Sequence, residues 1–116
     1  MRELTVGKNI VANTLTTIYT VPKGCKAICT LLHISNSTGS GKTVTATWYD
    51  KSNNAAISII HSHSLNSTNN NYIQFLNGRL VMDEYDYITV ISETGSTMSV
   101  ILTMEIDQPT SYQHVS

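Results

Sequence analysis

The sequence predicts an all-β chain, an antiparallel β-sandwich or jelly roll of about eight short strands. Three observations predict it. First, 16 Thr, 12 Ile and 8 Val supply many β-branched side chains, which resist helix and suit a pleated surface. Second, apolar residues alternate with period two rather than 3.6. Third, turn signals interrupt the chain at short intervals. At 116 residues the chain is one domain by length, and long enough to bury a core without disulfide or metal staples.

Strands are expected near 3–8, 15–21, 26–35, 43–50, 56–64, 72–76, 79–82, 87–92 and 98–106. The clearest is the last. Met98, Val100, Leu102, Met104 and Ile106 alternate with Ser99, Ile101, Thr103 and Glu105, so one face must be buried. Residues 43–50 repeat the pattern, with Val44, Ala46 and Trp48 on one face and Thr43, Thr45, Thr47 and Tyr49 on the other. Between strands, Val21-Pro22-Lys23-Gly24 suits a type I turn, with Pro second and Gly fourth. Residues 36–41 read as a hairpin loop, 50–54 as a turn, 66–71 as a polar loop and 93–97 as a further break. Asn77-Gly78 is the preferred tight-hairpin dipeptide. The sandwich is expected over 1–106. Residues 107–116 lose the pattern after Pro109 and read as a tail or arm that orders against a partner.

Composition narrows the function. Only 13% of residues are charged and the formal net charge is −1. No basic field exists to hold a phosphate backbone, so nucleic acid is not an expected partner. No apolar run reaches the length of a transmembrane helix, and the opening Met1-Arg2-Glu3-Leu4-Thr5 lacks the apolar stretch of a signal peptide; neither a membrane nor secretion is expected. Cys25 and Cys29 are the two cysteines. On one strand they stand about 13 Å apart, too far for a disulfide, and read as small buried thiols.

Several groups could carry chemistry. Residues 36–43, Asn-Ser-Thr-Gly-Ser-Gly-Lys-Thr, nearly spell a P-loop. That motif needs Gly in place of Asn36 and a helix from Lys42, whereas a strand pattern follows. His61-Ser62-His63 is the sharpest metal candidate, since i and i+2 share a strand face. His33 or a thiolate could complete a zinc site of cupin type. The competing reading is of half-buried or interface histidines, because Ile57, Ile59, His61, His63 and Leu65 form one face that runs from apolar to polar. Asp83-Glu84-Tyr85-Asp86-Tyr87 gathers three carboxylates and two phenols. It reads as a solvated turn, with calcium or a sugar as the ligands its chemistry admits. Tyr85, Tyr87, Tyr72, Asn70 and Tyr112 are the candidate interaction surface. No Gly-x-Ser-x-Gly elbow or other nucleophile–base pattern occurs, so no enzyme, catalytic residue or cofactor is expected.

The segment Thr17-Ile18-Tyr19-Thr20-Val21-Pro22-Lys23-Gly24-Cys25-Lys26-Ala27 resembles the Tyr-Thr-Val-Pro-x-Gly opening of small β-sandwich virion proteins of tailed bacteriophages. The resemblance continues through Ile34-Ser35-Asn36-Ser37-Thr38-Gly39, Val44 to Asp50, Asp83 to Val90 and Ser99 to Ile106. It spans roughly residues 4–106. One departure is Glu84-Tyr85-Asp86, where the group has Gly before the Asp. The resemblance implies a structural virion protein, located in the particle after synthesis in the host cytoplasm. It implies a head decoration, neck or tail-associated role, other virion proteins as partners, and no catalytic residue. A capsid decoration or cement protein, homo-oligomeric, is the first expectation. A neck or tail module that recognises a host-surface glycan is the alternative. The weakly ionic surface suits either, because Thr, Ser and Asn cost less to desolvate than Lys and Glu at an interface.

Overall fold

The computed structural model describes residues 2–66 and 70–107, with the side chains of 76–78 outside the description. The tail expected over 107–116, Tyr112 included, lies outside it beyond Asp107. Eight strands are present among the described residues: β1 (Arg2–Ile10), β2 (Thr16–Thr20), β3 (Lys26–Asn36), β4 (Lys42–Asp50), β5 (Ala55–Leu65), β6 (Tyr72–Met82), β7 (Tyr87–Ser92) and β8 (Met98–Asp107). They form two four-stranded sheets, ordered β1-β8-β3-β6 and β2-β7-β4-β5. Every pairing is antiparallel. The strand order is that of an eight-stranded jelly roll. Consecutive strands mostly alternate between sheets, so each connection runs over one end of the sandwich.

The alternation read from the sequence positions the core. Val100, Leu102, Met104 and Ile106 of β8 turn inward and are buried, as are Val44 and Ala46 of β4. From the facing sheet Ile88 and Val90 of β7 meet Ile34 and Leu32 of β3 in one continuous apolar cluster. Each fully buried Leu, Ile, Val or Met contributes about 1.5–3 kcal/mol. Cys25, in the turn just before β3, and Cys29, within β3, are both buried and free.

Four local expectations are corrected. Asn77-Gly78 does not close a hairpin, because residues 72–82 are one strand. Leu76 pairs with Leu31 and Leu80 with Cys29, so three residues of β6 oppose Thr30 alone. The dipeptide forms a bulge, since its flanking runs pair with the same neighbour rather than with each other. Second, 36–41 is not a hairpin loop; it carries the chain from β3 in one sheet to β4 in the other. Third, the turn at Pro22 is shifted by one residue. The Cys25 N–H donates to the Pro22 carbonyl at 3.1 Å, and Gly24 sits third with φ +78°, which is a type II turn. Fourth, β5 does not keep one alternating face. Val44 pairs with His63 and Ala46 with Ile60, leaving His61 and Ser62 together opposite Thr45, with Ser62 at φ +47°.

One buried polar residue fixes each end of the sandwich. At one end Asp86 accepts three N–H groups: Trp48 Nε1 (3.2 Å), the Lys51 amide (2.9 Å) and the Asp83 amide (3.0 Å). At the other, Asn36 Nδ2 donates to the Ser40 and Leu65 carbonyls, both at 3.0 Å, while its Oδ1 accepts the Thr38 amide at 2.9 Å. Both are 2% exposed, and no buried side-chain polar atom among the described residues lacks a partner.

Candidate interaction surfaces

The histidines are not brought together. His61 and His63 are exposed on β5. His33 lies on β3 in the other sheet, where its Nδ1 is 2.8 Å from Gln74 Oε1 and its ring stacks on Tyr72 at 5.2 Å. Among the described residues no group of three or more His, Cys, Asp or Glu is placed to hold a metal ion.

The acidic turn is likewise pulled apart. Asp86 faces the interior, Glu84 Oε1 accepts the Gly24 amide at 2.9 Å, and Asp83 Oδ1 lies 3.6 Å from Lys26 Nζ. Three carboxylates held by three separate sets of donors do not converge on a cation. The turn instead joins three loops. The Tyr85 amide donates to the Val21 carbonyl at 2.8 Å and the Val21 amide to the Asp86 carbonyl at 2.9 Å.

Tyr85 occupies the third position of a type II turn, with the Asp86 amide donating to the Asp83 carbonyl at 3.1 Å and φ at +70°. Two other turns share this arrangement, closed by Cys25 to Pro22 and by Ser96 to Glu93. Both place glycine third, Gly24 at φ +78° and Gly95 at φ +79°. The departure from Gly noted in the sequence therefore leaves the turn intact and puts a bulky aromatic where L residues are disfavoured by about 1–2 kcal/mol.

Tyr85 overlooks an open groove of about 530 Å³ on the outer face of the second sheet, lined by Leu15, Thr17, Thr20, Lys51, Tyr85, Tyr87 and Thr89. Antiparallel register builds it. Thr20 and Tyr49 flank Tyr87 in one row, and Thr17 and Thr47 flank Thr89 in the next. Tyr49 stacks on Tyr87 at 4.8 Å with planes 13° apart. Of the five candidate interaction residues, Tyr85 and Tyr87 share this groove. Tyr72 and Asn70 sit at the opposite end, since β6 runs its whole length between Tyr72 and the Asp83–Asp86 turn. The sequence did not reveal Leu15, Thr17, Thr20, Lys51 or Tyr49 as neighbours, because only strand register places them there.

The two lateral edges of the sandwich differ. One is formed by β1 and the five-residue β2. It carries Arg2, Glu3 and Lys8, and Lys8 Nζ reaches across to donate to the Thr17 carbonyl at 3.1 Å. Short strands and charged residues are devices that block edge pairing. The other is formed by β5 and β6, eleven residues each, with Arg79 their single charged side chain if histidine is neutral. Here a cleft of about 160 Å³ opens between the sheets, lined by Cys29, Thr30, Leu32, Ile59, Phe75, Arg79 and Leu80. Ile57 nearby is 47% exposed and Phe75 37%. The bulges in β5 and β6 shorten any run available for strand addition, so this edge offers apolar side chains more than free backbone.

Burial pushes the Cys29 thiol pKa up, and a hydrogen bond with the Leu31 backbone opposes this only in part. A raised folded-state pKa means that the stability it contributes is intact below the ordinary thiol range and is lost as pH rises through the folded value. Alkylation of Cys29 by iodoacetamide near pH 8 is expected to be at least about tenfold slower in the folded protein than in urea, because the thiolate reacts and the fold disfavours it. Mass spectrometry of timed samples checks it; equal rates would contradict this burial.

No family model and no curated protein matches the chain. Among solved structures it is similar to a chain from Bacillus endospore appendages, described as a family of disulfide-linked pili. The two are 14% identical with a TM-score of 0.46, over 92% of this chain and 85% of that one. So distant a likeness does not bear on function.

Proposed function

We propose that this chain is a non-enzymatic structural component of a tailed-phage virion, a capsid decoration or cement protein. The observation that carries the reading is the contrast between its edges. The β1–β2 edge is guarded by charge, while the β5–β6 edge presents Ile59, Phe75 and Leu80 around a cleft with one charge, and leaves Ile57 of β5 exposed. A monomer that stays alone gains nothing from leaving one edge apolar. A particle component can bury it against a neighbouring copy or a capsid protein, and symmetry multiplies each modest contact. The jelly roll is used in viral capsids and also in lectins and cupins, so the fold alone does not choose; the Tyr-Thr-Val-Pro-Lys-Gly resemblance and the apolar edge support the virion reading.

Cryo-EM of particles produced with and without this chain tests the proposal. Density on the capsid that vanishes with the gene supports it. Density at the neck or tail favours the adaptor role, and absence of any density ends the proposal. Ile57→Lys gives a sharper version. Placing a cation on the apolar edge is expected to lower particle occupancy at least about tenfold. The isolated protein should lose no more than about 0.5 kcal/mol, as for most surface substitutions. Occupancy by quantitative gel of purified particles and a thermal melt measure the two.

A further inference from the structure

We propose that the groove beside Tyr85 and Tyr87 is a binding site for a saccharide that carries a carboxylate. Its volume of about 530 Å³ falls within the usual 300–1,000 Å³ of small-ligand sites. The chemistry of the walls is mixed as a sugar requires. Tyr87 offers an aromatic surface already braced by Tyr49 at 4.8 Å, so little ordering is needed on binding. Thr17 and Thr20 supply hydroxyls that donate and accept. Leu15 is 64% exposed at the rim.

Tyr85 is the second, independent observation. Its two sibling turns hold glycine at the same left-handed position, yet here a large ring is kept there, 43% exposed. Strain that the surroundings hold in place points to a use for the side chain, and the groove is where that side chain stands.

Charge selects the class of sugar. Lys51 is the one charged residue lining the groove, and it makes no ion pair among the described residues. Its backbone is pinned by the Asp86 carboxylate at 2.9 Å, which anchors the base of the side chain. Nearby carboxylates are engaged elsewhere: Asp50 with the Ser52 hydroxyl and the Asn53 amide, Glu84 with the Gly24 amide. An ammonium over a cleft of hydroxyls and phenols complements a uronate-type carboxylate.

The test is a calorimetric titration of the full chain with tetragalacturonate and, separately, with neutral cellotetraose. The acidic sugar is expected to bind at least about tenfold more tightly. Lys51→Met should erase that preference, and Tyr87→Ala should weaken binding about tenfold. Tyr85→Gly is the decisive variant. It relieves the left-handed strain, so its melting temperature should hold or rise while binding falls about tenfold; a purely structural role for Tyr85 would not separate the two. No binding of either sugar at about 10 mM, equal binding of both, or wild-type affinity in Tyr85→Gly would each overturn the assignment. The site stands apart from the assembly reading, since its ligand is titrated onto the isolated chain.

Discussion

Asp86→Ala is expected to lower the thermal midpoint by about 12–20 °C. The carboxylate is 2% exposed and accepts three N–H groups, from the Trp48 indole and the Lys51 and Asp83 amides. Hydrogen bonds to a buried charged acceptor contribute about 1.5–3 kcal/mol each, and donors left without water cost a similar amount. Some of that total is offset because the alanine variant no longer desolvates a charge. A net loss of about 3–5 kcal/mol remains, and each kcal/mol moves a domain of this size by about 4 °C. Asp86→Asn is nearly isosteric but brings an NH₂ group against donors, so it should recover less than half of the loss. Circular dichroism melts check both. An alanine variant within about 2 °C of the parent would show that the three loops hold together without this carboxylate.

Asn36→Ala should cost about 2–4 kcal/mol, or about 8–16 °C, at the opposite end. The Asn36 amide satisfies the Ser40 and Leu65 carbonyls and the Thr38 N–H at once. Its own backbone N–H donates to the Asn71 carbonyl at 2.7 Å. Truncation leaves the buried Leu65 carbonyl without a donor and removes the two part-buried bonds to Ser40 and Thr38. Asn36→Asp should do no better, because a carboxylate would face two carbonyl oxygens. The two keystones lie at opposite ends of a molecule 54 Å long and share no partner. Their effects should therefore add within about 0.5 kcal/mol in the double variant, provided it still folds; urea melts of the two single variants and the double measure it. Strong coupling would mean that the ends communicate through the core.

The all-β architecture was legible because alternation in β8 and β4 is a local signal, written in residues such as Val100, Leu102 and Met104 that need no knowledge of their partners. What was not legible depends on pairing. Asn77-Gly78 reads as a hairpin until one knows that both flanks pair with β3. His61 and His63 share a face on paper, and the bulge opposite Thr45 removes that relation. Of the acidic turn, Tyr85 and Tyr87 line one groove, and only the register beside Thr20 and Tyr49 shows it. Asp86, by contrast, was counted among solvated carboxylates although it is the residue that fixes the loops. Its role follows from Trp48 and Lys51 arriving from another hairpin, which no spacing along the chain announces. The edge contrast was half visible: residues 55–65 lack charge in the sequence, yet their position beside β6 comes from the sheet order alone.

The pairing of β1 with β8 has a kinetic consequence. Arg2 lies opposite Ile106 and Ile10 opposite Met98, so β1 waits for β8, far along the chain. Until residues 98–107 have emerged, β1 has no ladder to join and β3 lacks its central neighbour. The first sheet therefore closes only once residues 98–107 are free to pair. Contacts so far apart in sequence also slow the search for the native state, to the millisecond-to-second range common for such topologies. Until β8 has paired, any partner that captures the chain meets an open, adhesive precursor rather than a finished domain.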